Sequence, residues 1–108
     1  MNGSAGCEIW LDNERDPKAH GRDGARWFKT AEALQAWLEE HADWSDVAMS
    51  LDHDLGSGRM TGYYLMAWME QQVYEHGRRA PKSIDLHTQN PVGKERMCVA
   101  RYRIYSVA

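Results

Sequence analysis

"VAMSLDHDLGSGRM" (47–60) decides how this chain reads. Its first half, Val47 to Leu51, is an apolar-leaning run of strand length. Its second half breaks into Asp52-His53-Asp54 and then into a loop with Gly56 and Gly58. Three ionisable groups at the end of a buried strand cost several kcal/mol unless they are paired or bound. A cleft over the end of a sheet lets them face a ligand instead.

The flanking segments supply the sheet. "CEIWL" (7–11) reads as a buried strand that stops at Asp12. "NERDPKAHGRDGA" (13–25) is turn-rich, because Pro17, Gly21 and Gly24 break any helix. "RWFK" (26–29) reads as a second strand. "TAEALQAWLEEH" (30–41) predicts a helix capped by Thr30, with Glu32 in its first turn and Leu34, Trp37, Leu38 and His41 on one stripe. "TGYYLMAWMEQQVYEHG" (61–77) predicts a second, with Leu65, Trp68, Met69 and Val73 inward and Gly77 past its end. "SIDLH" (83–87) is the fourth strand. "NPVGKERMCVARYRIY" (90–105) is a third helix with Asn90 as cap and Pro91 at its first position. The expected fold is α/β: a small Rossmannoid with a four-stranded, mostly parallel sheet of order 2-1-3-4. About three helices flank it, and the first crossover helix is missing.

At 108 residues the chain is one domain, 7–108, behind a flexible lead of residues 1–6. The net charge of −3, with acids and bases interspersed, argues against non-specific DNA binding. Cys7 and Cys98 form no paired motif and read as free thiols in a reducing cytosol. No apolar run reaches transmembrane length, and no signal peptide is visible, so a cytoplasmic, non-membrane protein is expected.

In a parallel sheet the carboxyl ends of strands one, three and four share an edge. That edge gathers Asp12-Asn13-Glu14-Arg15, Asp52-His53-Asp54 and His87-Thr88-Gln89-Asn90. His53 and His87 suit general acid and base roles. Asp52 or Asp54 can orient a histidine or hold a divalent metal. Arg15 suits a phosphate, and Asn90 with the N–H groups of Val92 and Gly93 opens a helix where an anion can sit. Together they suggest a phosphate-bearing ligand. Plainer readings stay open. Asp12 serves equally as an Asx-turn residue, Asp52 as a loop cap or partner of Arg59, and Asn90-Pro91 as a helix start. Tyr63 and Tyr64 can stack on a base or simply pack. His53 in regular strand geometry points away from Asp52 and Asp54, so it reaches the cleft only if the chain leaves that geometry.

"WLDNERDP" (10–17), "SLDHDLG" (50–56), "TGYYLMAWME" (61–70) and "HTQNPVGKERM" (87–97) together resemble the cyclic-phosphate-processing receiver-like domains of bacteria and phages. The resemblance covers nearly the whole chain after residue 7. It implies a receiver-type sheet and a role with cyclic phosphate ends, linked to RNA repair. It puts Asp52 where receivers carry their phosphorylated aspartate, Asp12 at one place of the acidic pair with Asn13 at the other, and Thr88 near the switch residue. With no receiver lysine after the fourth strand, histidine chemistry is expected to replace phosphoacceptance. On this reading His53, His87, Asp52 and Asp54 are catalytic. Asp12, Arg15, Gln89, Asn90, Gly93 and Arg96 hold the phosphate ligand. Asp12, Asp52 and Asp54 hold Mg or Mn if a metal is used. The expected function is a phosphoesterase (a hydrolase) acting by water on a 2′,3′-cyclic nucleotide or RNA end. Two alternatives remain: a sponge-like nucleotide-binding module without catalysis, or a degenerate receiver acting through protein partners at Tyr102, Ile104, Tyr105 and Val107. The oligomeric state is open.

Overall fold

The computed structural model describes residues 7–106. The expected lead of residues 1–6, and Val107 of the C-terminal patch, lie outside them. In chain order the elements are β1 (Cys7–Leu11), β2 (Arg26–Phe28), α1 (Ala31–Glu40), β3 (Val47–Leu51), α2 (Gly62–His76), β4 (Ser83–Leu86) and α3 (Pro91–Ser106). The four strands are all parallel, in the order β2-β1-β3-β4. The helix ends follow their caps. Thr30 accepts from Ala33 N and Thr61 from Tyr64 N, while Gly77 closes α2 at φ 68°, a left-handed conformation that glycine adopts without strain.

Strand alternation sorts the side chains onto two faces. Ile9 and Leu11, Met49 and Leu51, and Ile84 point one way and form one core with Leu34 and Leu38 of α1, Leu65, Met66 and Met69 of α2, and Met97 and Ile104 of α3. All three helices therefore share a face. The right-handed β1-to-β2 crossover runs over the opposite face, and there the chain has only a short 3-10 turn, Pro17–His20. That face carries Glu8, Trp10, Ser50 and Asp85. Arg22 reaches across it to Glu8 (3.4 Å) and Asp85 (3.1 Å). The helix missing from the sequence is thus replaced by a strap.

Ile104 is a core residue and so does not join exposed Tyr102 and Tyr105 at the surface; the Tyr105 hydroxyl donates to Pro81 O at 2.8 Å. Cys7 and Cys98 are unpaired and half-buried. Among the described residues no helix is long and apolar enough to cross a membrane.

Candidate active site at the carboxyl edge of the sheet

The register explains why the polar clusters meet. Trp10, Ser50 and Asp85 are aligned neighbours across β1, β3 and β4. Two residues further along each strand, on the same face, come Asp12, Asp52 and His87. The ladder continues to this row: Asp12 N donates to Phe28 O (3.1 Å), Asp52 N to Leu11 O (3.0 Å) and His87 N to Leu51 O (3.0 Å). The three side chains can each offer one ligand atom, all within 4.8 Å of one another.

Each member is held from behind. Asp12 Oδ1 accepts from the backbone N–H of Glu14 (2.8 Å) and Arg15 (2.9 Å), so Asp12 is an Asx-turn residue as well as a site residue. Its other oxygen lies 3.1 Å from His87 Nε2. Asp52 Oδ1 accepts from His53 N at 2.8 Å. The His87 ring folds back over the sheet. It stacks on Trp10, centroids 4.0 Å apart and planes 3° apart, and its Nδ1 lies 2.8 Å from Ser50 Oγ. Trp10 in turn donates to Arg15 O at 2.8 Å. Burial, helped by the neighbouring Asp12 charge, holds the Asp52 carboxyl above its ordinary range. Burial pulls the His87 imidazole below its ordinary value, against the opposing pull of Asp12.

Asp12 and Asp52 form the floor of a cleft of about 450 Å³, whose lining does not include His87. Asp12, Glu14, Asp52 and Asp54 give it carboxylates, and Arg15 is the one cationic residue lining it. Asn13, Thr88, Gln89 and Asn90 complete the wall. Arg15 Nη1 donates to His87 O at 3.1 Å, which holds the guanidinium across the end of β4. The Asn90 amide joins two elements. Its Nδ2 donates to Asp54 Oδ2 at 3.2 Å, and its Oδ1 accepts from Gly93 N at 3.0 Å, capping α3.

Several expected site residues lie elsewhere. His53 is not in the cleft wall. Strand alternation turns it away from Asp52, and its ring packs against Gly93 in the first turn of α3, where a Cβ would overlap it. Its Nδ1 is buried without a partner. The Gly93 N–H is occupied by its own cap and is not open to an anion. Arg96 sits over the Tyr63 ring at 4.3 Å, in a groove between α2 and α3 with Glu70, Glu95 and Val99. Neither Arg96, Tyr63 nor Tyr64 lines the cleft. Asp54 does, but the ligand-forming trio takes His87 in its place.

Ser50 and Trp10 were not among the expected site residues. The signal was available: Ser50 is two residues before Asp52 and Trp10 two before Asp12, so each shares a face with its aspartate.

A family model described as the cyclic-phosphate processing receiver domain matches residues 7–103 of the 108. The chain belongs to this family. No curated protein and no solved structure matches it significantly. The four-stranded parallel sheet is that of a receiver-like α/β domain. Within it, Asp12 and Asp52 occupy the strand ends that the resemblance assigned to them, and His87 joins them from β4.

Proposed function

We propose that this domain opens a cyclic phosphate, carried by a 2′,3′-cyclic nucleotide or an RNA end, using a divalent cation on Asp12, Asp52 and His87. The charge of the cleft carries this reading. Four carboxylates against one guanidinium repel a phosphodiester, and a bound divalent cation would offset the charges of Asp12 and Asp52 and so weaken that repulsion. Membership of the cyclic-phosphate processing family supports the substrate class.

The residues fit a cation. Ligands at about 2.0–2.2 Å from one metal stand roughly 3–4 Å from each other. Asp12 and His87 stand 3.1 Å apart, and the whole trio spans no more than 4.8 Å, so small side-chain adjustments close it. An imidazole nitrogen with two carboxylates suits a first-row transition metal, Mn²⁺ included, better than Mg²⁺. When bound, such a cation polarises a phosphoryl oxygen and acidifies a water.

The chain's own groups do the rest. Arg15 and Gln89 line the cleft with side-chain N–H donors for the phosphoryl oxygens. Asp54 is exposed at the mouth and fixed by Asn90, where it takes the proton of the attacking water. The water oxygen bonds to phosphorus, one phosphorus–ribose oxygen bond breaks, and the leaving oxygen is protonated from solvent. A covalent intermediate is not required, since Ser50 is buried to 2 % exposure and bonded to His87.

Calorimetry tests the reading. A 2′,3′-cyclic nucleotide is expected to bind when Mn²⁺ is present and to lose that binding in chelator and in Asp52→Asn. Equal binding with the cation removed contradicts it.

A further inference from the structure

Ser50 stands next to the carboxyl end of β3 with a buried hydroxyl on the face opposite the helix core. Its Oγ lies 2.8 Å from His87 Nδ1, and Asp12 Oδ2 lies 3.1 Å from the same ring's Nε2. A neutral imidazole has one proton for these two nitrogens. With Asp12 ionised and acceptor-only, Nε2 carries the proton, so Nδ1 accepts and Ser50 donates. With a cation on the Nε2 lone pair, the ring proton must sit on Nδ1, so Ser50 accepts.

A hydroxyl does both by rotating about its Cβ–Oγ bond. A carboxylate or a backbone carbonyl, as acceptors only, hold a ring in one tautomer. The ring itself has little freedom to leave. It is stacked on Trp10 at 4.0 Å, and Trp10 is 3 % exposed. An alanine at 50 therefore leaves Nδ1 facing a void inside the sheet face rather than water.

We propose that Ser50 is a positioning residue whose hydroxyl lets His87 exchange tautomers, bonding Asp12 without a cation and ligating a first-row transition metal when one enters. The proposal rests on the reading of Asp12, Asp52 and His87 as a cation site. It assigns the serine of the SLDHDLG stretch to metal affinity rather than to nucleophilic attack.

The test uses the whole chain and Zn²⁺, which is diamagnetic. Long-range proton–nitrogen NMR of the His87 ring, assigned with His87→Gln, reads the tautomer directly. The expected result is a proton on Nε2 in the cation-free protein and on Nδ1 once Zn²⁺ is bound. Calorimetry is expected to show Zn²⁺ affinity about ten- to a hundredfold weaker in Ser50→Ala and largely kept in Ser50→Thr, which retains the hydroxyl. Zn²⁺ binding in Ser50→Ala within about threefold of wild type, or a proton that stays on Nε2 in the loaded protein, overturns the role of Ser50 alone. No Zn²⁺ binding by the wild-type chain overturns the cation site and the proposal together. The tautomer readout needs only the wild-type chain, so an unfolded Ser50→Ala does not remove the test.

Discussion

Replacing Gly93 by alanine separates the packing role of His53 from a catalytic one. A Cβ at Gly93 falls 2.6 Å from Cγ and 2.9 Å from Nε2 of the His53 ring. Cγ is next to the point of attachment, so no terminal rotation clears it. Either the ring or the first turn of α3 has to move, and overpacking of this kind costs about 1–3 kcal/mol. The helix-propensity gain of alanine over glycine offsets at most about 1 kcal/mol. The single variant is expected to lose about 1–2 kcal/mol, with a fall in Tm of several degrees. In a His53→Ala background the Cβ enters the space the ring has left, and the same substitution becomes neutral or mildly stabilising. Urea unfolding of the two single variants and the double variant measures the coupling, expected near 2 kcal/mol. Turnover of His53→Ala is expected within about tenfold of wild type, against the 10²–10⁴-fold loss typical of a removed acid or base. Additive stabilities, or a loss of a hundredfold or more in a folded His53→Ala protein, refute the placement of this ring.

Three further outcomes follow from the cleft. Because burial and Asp12 raise the Asp52 carboxyl above its ordinary 3.8, folding favours its protonated form. That contribution is full below the unfolded value and is lost as pH rises through the folded one. Asp52→Asn is therefore expected to raise the Tm of the cation-free protein at pH 7 and to abolish stabilisation by Mn²⁺, read by melts in chelator and in Mn²⁺. His87 has the opposite sign: burial lowers it from 6.5, so its neutral ring contributes stability above that value which fades as pH falls towards the lower folded value. Melts of the cation-free protein are expected to lose stability below about pH 6.5, with a shallower loss in His87→Gln. Arg15→Ala removes a guanidinium from the cleft wall and is expected to weaken cyclic-nucleotide binding by about ten- to a hundredfold, leaving Mn²⁺ affinity nearly unchanged in calorimetry.

Much of this was legible in the sequence because it rests on local rules. Thr30, Gly77 and Asn90 marked helix ends that the structure keeps. The strand order followed from crossover handedness, and the convergence of the clusters at Asp12, Asp52 and His87 followed from the strand order. What escaped depends on where side chains turn after a strand stops. Alternation warned that His53 faces away from Asp52, yet only packing shows its ring seated on Gly93. Arg96 falls within a motif beside true wall residues, but 3.6-residue periodicity carries it round α3 to Tyr63. His87 was legible as chemistry but not as the partner of Asp12, because the ring's stacking on Trp10 is a tertiary event.

Phosphorus NMR on the protein with a 2′,3′-cyclic nucleotide, with Mn²⁺ and with chelator, tests the central claim most directly. The account predicts conversion of the cyclic phosphate signal to a monophosphate with Mn²⁺, none in chelator, and none in Asp52→Asn. Conversion that survives both chelator and Asp52→Asn, or a cyclic phosphate left intact by the Mn²⁺-loaded protein, contradicts it.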